Sequence, residues 1–249
     1  MQPKIASFEA YMQQGDEALG RGDMFDDAAV VFGRAAMVAS IDRNVSNEAR
    51  ALQMMSVAYS LDGQPEMAER FAGKALGLAK DDDALAGRIL RDAGMALLRQ
   101  AIHLPDCEQR DKLLTDADEN FSTSYMLLTR FPDNPLEAAV TLGFMGRHRL
   151  IVGENKTARE YLIDADKVLR DGPNRDYELN NLMWLLRAKV PYWERRAYRK
   201  ARIIPLIEET GQTRRHDELR LIVIGGDRLY RFVERNRWIQ DLVRQLRGK

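Results

Sequence analysis

Apolar side chains recur along this chain at steps of three and four, the spacing that gathers them on one face of a helix, and the steps return in block after block. The stretch LDGQPEMAERFAGKAL, residues 61–76, shows the unit: it closes one apolar run at Asp62-Gly63, opens another at Pro65, and sets alanines at 68, 72 and 75. Ala28-Phe32-Ala35, Ala117-Phe121-Ser124, Ala158-Leu162-Ala165 and, more loosely, Ala197-Ala201-Ile204 repeat those steps. The first members of the five triplets stand 40, 49, 41 and 39 residues apart, and the long interval holds the loop HLPDCEQRD, residues 103–111. The pattern predicts helices over 4–20, 26–41, 46–61, 65–80, 84–102, 108–130, 135–152, 155–170, 175–189, 192–209, 215–224 and 227–247. Asp23, Ser46, Asp83 and Asn155 are placed to cap helix starts, Pro65 and Pro135 suit first turns, and Gly63, Gly153 and Gly211 suit helix ends.

ELRLIVIGGD, residues 218–227, is the one segment that reads as a strand running into a Gly-Gly loop. No second strand candidate exists to pair with it, and a buried unpaired strand leaves its backbone unsatisfied, so a buried helix ending at Gly225 is expected. In the helix after it, Leu229, Phe232, Asn236, Ile239, Val243 and Leu246 follow steps of 3, 4, 3, 4 and 3, the seam of a short coiled coil. Such a helix is too short to stand alone and is expected either to cap the preceding helices or to pair with another copy in a homodimer.

The alanine triplets place small residues where a second helix crosses, and the residues before them sharpen the pattern. Ser56, Tyr59 and Gly63 stand 12, 9 and 5 positions before Ala68, and Gly146, Arg149 and Gly153 stand at the same distances before Ala158. This arrangement resembles the tetratricopeptide repeat, clearly in VAYSLDGQPEMAERFAGKAL and GRHRLIVGENKTAREYLIDADKVL and partly in three further units between residues 8 and 209. The period departs from the family's, being near 40 rather than about 34, and Arg149 replaces an aromatic residue. Other paired-helix solenoids with periods near 40 stay open. The resemblance implies an all-α, right-handed solenoid of about five helix-turn-helix hairpins over 1–209, with basic C-terminal helices over 210–249 packed on it as a cap.

Composition agrees with helix, and the chemistry-bearing residues are few. Cys107 is the sole cysteine, and the three histidines, His103, His148 and His216, fall in separate units. His103 and Cys107 are separated by Leu104-Pro105, which breaks the helix that would align them as metal ligands. No nucleotide loop, nucleophile elbow or zinc motif is present, so no enzyme, cofactor or metal is expected. The N-terminal stretch lacks the basic-then-apolar order of a secretory signal and no long uncharged apolar run occurs, which points to the cytoplasm and away from a membrane.

Charge changes the picture more than composition does. Lys+Arg and Asp+Glu balance at 38 each, yet residues 1–186 carry 21 against 30 and residues 187–249 carry 17 against 8. If the resemblance holds, the first helix of each hairpin lines a concave groove, and the projected groove positions are Arg50, Gln53, Arg88, Arg91, Arg99 and Arg147. Arginines so placed suit an acidic peptide, a carboxylate terminus or a phosphate, or else merely solvate the surface. A second basic patch, Arg195, Arg196, Arg199, Lys200, Arg202, Arg214 and Arg215, is interleaved with aromatic residues. It is suited to nucleic acid or to an acidic protein surface, and it is equally readable as solvated helix faces. The expected function is a non-catalytic scaffold that holds a protein or peptide partner in an arginine-bearing groove. A nucleic-acid-associated protein and a self-associating regulator are the alternatives.

Overall fold

The computed structural model describes residues 7–21, 24–170, 172–188, 190, 192–212, 219 and 222, with the side chains of 192–194 left aside. Within these residues the chain is all-α and no strand occurs. The helices are α1 (Phe8–Arg21), α2 (Phe25–Ile41), α3 (Val45–Leu61), α4 (Pro65–Leu78), α5 (Asp83–His103), α6 (Glu108–Leu128), α7 (Pro135–Val152), α8 (Asn155–Leu169), α9 (Arg175–Arg187), α10 (Tyr192–Tyr198) and α11 (Ile204–Thr210). The chain divides into two compact units, one through Phe144 and one from Met145. The reading of 218–227 as a buried helix, the coiled-coil seam from Leu229 to Leu246, Arg214, Arg215 and the Asp23 cap lie outside the described residues, apart from Leu219 and Ile222, which are helical and buried.

Three helices, α2, α3 and α7, end in the same way. Gln64 N–H bonds the Tyr59 carbonyl (2.9 Å), Glu154 N–H bonds that of Arg149 (2.9 Å) and Asn44 N–H bonds that of Ala39 (2.9 Å), each reaching back five residues. The residue before each donor is left-handed: Gly63 at φ 79°, Gly153 at φ 94° and Arg43 at φ 54°. This is the Schellman ending, in which a left-handed residue lets the chain turn back on the last helical carbonyls. Glycine adopts that conformation freely, whereas Arg43 does so against its Cβ.

Helix starts fall close to the expected positions, but the capping residues differ. Asn44 rather than Ser46 caps α3, accepting from Asn47 N (3.1 Å), and Asp82 rather than Asp83 caps α5, accepting from Leu85 N (2.9 Å). Asp83 lies inside the first turn, where a carboxylate favours the positive end of the helix dipole. Asn155 is likewise the first residue of α8, and its amide donates to the Gly153 carbonyl (2.7 Å). The helix expected over 192–209 is instead interrupted by a π-helical turn, Arg199–Ile203. Pro205 explains it: proline has no N–H for the 201 carbonyl and its ring crowds that carbonyl, so the turn widens just before it.

In the first unit α1, α3 and α5 touch one another in sequence, while α2 and α4 pack against the odd-numbered helices that flank them. Hairpin packing rests on close crossings. A Cβ added to Gly15 would lie 2.4 Å from the Phe32 ring, and one added to Gly94 would lie 2.8 Å from the Phe121 ring. In the second unit a Cβ on Gly146 would lie 2.6 Å from Leu162. Phe32, Phe121 and Leu162 are fully buried, so each bulky side chain is seated directly on the backbone of the facing helix. The α3/α4 crossing departs from this scheme: Ser56 stands where the others have glycine, its hydroxyl donating to the Ala68 carbonyl (2.7 Å), and Ala72 stands where they have Phe or Leu.

Candidate functional site

On the α3 and α5 faces of the first unit, polar side chains link neighbouring odd-numbered helices. Arg50, Gln53 and Ser60 rise along α3 at near-helical steps, and Arg88, Asp92 and Arg99 do the same along α5. Gln53, buried at 6% exposure, donates from Nε2 to Asp92 Oδ2 (2.8 Å). Arg91, equally buried, holds Asp92 Oδ1 through Nε (3.1 Å) and makes an ion pair with Glu137 of α7. Arg99 donates from Nη1 to Ser60 Oγ (3.3 Å). The partners lie 39 residues apart from α3 to α5 and 46 apart from α5 to α7, so the polar row reports the register between successive helix pairs.

The arginines of this row are not equivalent. Arg91 is held by two carboxylates, and its role is to tie α5 to α7. Arg50 is exposed and feels Asp16 of α1, whose carboxyl is pushed up by partial burial while Arg50 pulls it back. Burial lowers the Arg99 guanidinium below its ordinary value, with Asp92 opposing the shift. Arg99 therefore carries a desolvated cation that, among the described residues, hydrogen-bonds only a neutral hydroxyl. Half-buried Arg88 has neither an ion pair nor a side-chain hydrogen bond among the described residues. Arg88 and Arg99 stand three turns apart on α5, about 16 Å along the axis.

Arg147 belongs to the second unit and does a different job. Its guanidinium lies 4.4 Å from the centre of the Trp184 ring of α9, and that of Arg187 lies 3.7 Å from it, so two cations lie over the one indole. In the basic patch, Arg202 is committed to buried carboxylates. It donates to both oxygens of Asp166 (2.6 and 3.0 Å) and to Glu178, and these bonds raise its affinity for its proton against the opposing cost of burial. Arg170 adds a second donor to Asp166 (3.0 Å), and Arg175 bonds Glu178 (2.8 Å) and Glu209 (3.1 Å). Arg195 donates to the Val190 carbonyl (2.6 Å), while Arg196 and Lys200 are exposed and Arg199 is half-buried.

The projection from the resemblance named the arginines of α3 and α5 but not Asp92 and Glu137, which hold Arg91, and the basic patch was named without Asp166 and Glu178, which hold Arg202. Among the described residues no group of three or more His, Cys, Asp or Glu side chains is arranged to hold a metal ion, and no helix is long and apolar enough to cross a membrane. No protein-family model and no curated protein matches this chain.

Proposed function

We propose that the chain is a non-catalytic interaction scaffold, a right-handed solenoid of tetratricopeptide-like hairpins, that binds an acidic peptide or protein segment along the α3 and α5 faces. The observation that carries this reading is the contrast within one row. Arg91 is neutralised by Asp92 and Glu137, whereas Arg88 has no ion pair among the described residues and Arg99 is desolvated without a carboxylate bonded to it. The desolvated Arg99 cation costs the free protein stability, and an incoming carboxylate relieves that cost through a charge-assisted hydrogen bond, with Arg88 offering a second such bond. The planar guanidinium suits the two oxygens of a side-chain or C-terminal carboxylate. Two such sites three turns apart favour an extended or helical acidic segment over an isolated anion.

The test is fluorescence anisotropy with a labelled twelve-residue Glu/Ala peptide at low salt. Each charge-assisted bond is worth about 1.5–3 kcal/mol, so Arg88→Ala/Arg99→Ala is expected to weaken binding by roughly two orders of magnitude or more while leaving the helical circular dichroism intact. Equal binding by the wild type and the double variant would overturn the assignment.

A further inference from the structure

An open cavity of about 270 Å³ lies between α4, α5 and α6, and the sequence explains why it exists. At the other close crossings the central residue of the second helix is Phe32, Phe121 or Leu162, but in α4 it is Ala72. The hairpin that best displays the repeat is thus the one that lacks its filling side chain. Ser56, Ala68 and Ala72 line the space that remains, together with Leu76 of α4 and Ile89 and Leu97 of α5.

The rim has its own chemistry. Among the described residues, Glu69 of α4 and Asp116 of α6 stand on it without an ion pair or hydrogen bond, and no lysine or arginine lines the cavity. Gly73 lies at the mouth on the exposed side of α4, and a Cβ placed there would meet nothing within 4 Å. Internal packing therefore does not require this glycine, although glycine weakens a helix interior. Its effect is to lower the rim, so that another backbone can come close.

We propose that this cavity is a docking site for a partner segment that carries one or two large apolar side chains beside a lysine or arginine. The apolar floor takes the anchor, since an apolar cavity of about 150 Å³ already accommodates a benzene ring. The carboxylates of Glu69 and Asp116 take the cation, and a helix presenting both on one face is the simplest geometry that reaches them together. The site is distinct from the arginine row of α3 and α5 and selects the opposite charge.

The probe is a labelled fourteen-residue Ala/Gln helix with Leu and Trp four residues apart and lysines one turn to either side. Measured by anisotropy, it is expected to bind the wild type, to bind Glu69→Gln/Asp116→Asn several-fold more weakly, and to bind Gly73→Leu at least tenfold more weakly. Gly73→Leu places a side chain over the mouth where there is room for it, so its thermal midpoint should equal or exceed that of the wild type. Should that variant fold poorly, the Glu69→Gln/Asp116→Asn pair decides alone. Binding of the Arg88→Ala/Arg99→Ala variant is expected to be unchanged. The proposal is overturned if the lysine peptide does not bind, if a peptide with glutamates in place of the lysines binds equally well, or if the variants bind like the wild type. It is also overturned if the chain alone sediments as a dimer that Gly73→Leu dissociates, since the occupant is then a second copy.

Discussion

Four glycine-to-alanine substitutions should change stability with opposite signs, because the added methyl group meets open space at one position and a fixed neighbour at the others. Within a helix, Gly→Ala gains about 1 kcal/mol. At Gly73 nothing lies within 4 Å of the new Cβ, so nearly all of that gain should appear. At Gly94 the Cβ would stand 2.8, 3.0 and 3.1 Å from three atoms of the Phe121 ring, which is fully buried and cannot swing aside. Overpacking of this kind costs about 1–3 kcal/mol, leaving a net loss near 1 kcal/mol. Gly15, 2.4 Å from Phe32, should behave similarly. Gly146 should lose most, about 2 kcal/mol net, because its Cβ would meet both Leu162 (2.6 Å) and the Ala158 carbonyl oxygen (3.1 Å), and backbone yields less readily than a side chain. Urea unfolding followed by circular dichroism measures the series, with the slope against urea expected to stay constant. Stabilisation at all four positions, or four values within about 0.5 kcal/mol of one another, would refute the idea that Gly15, Gly94 and Gly146 are helix-crossing contacts.

Other consequences follow from single side chains. Asp166→Ala removes the acceptor of two Arg202 bonds and one from Arg170 and is expected to cost about 2–4 kcal/mol in a denaturant titration, with Asp166→Asn intermediate. Arg43→Gly relieves a left-handed residue that carries a Cβ and should raise stability by about 0.5–1 kcal/mol in the same assay. Arg99→Leu should leave the thermal midpoint unchanged or raised while acidic-peptide binding falls, because burial already disfavours the charge at that position. A fall in its midpoint of more than about 5 °C would show the cation to be structural instead.

Helix positions through α9 were legible in the sequence because they depend on local signals: periodicity, the proline starts at Pro65 and Pro135, and the glycine endings at Gly63 and Gly153. Capping residues were less so, since Asp82 and Asp83 carry the same side chain and only the backbone conformation decides which one accepts from Leu85 N. The candidate site was half legible. The tetratricopeptide resemblance projected Arg88, Arg91 and Arg99 onto one stretch of α5, but the fate of these charges also depends on residues distant in sequence, and Glu137 lies 46 positions beyond Arg91. The alanines at 68, 72 and 75 clear space for a crossing helix. Beside Phe32 and Phe121, the alanine at 72 also leaves a space, which only the facing helices reveal.

Recognition of acidic segments by the α3 and α5 faces can be read by hydrogen exchange and mass spectrometry with and without the Glu/Ala peptide. Slowed exchange is expected over peptides spanning 45–61 and 83–103, and it should be absent in Arg88→Ala/Arg99→Ala. Slowing confined to α4 and α6, or no slowing at saturating peptide, would contradict it.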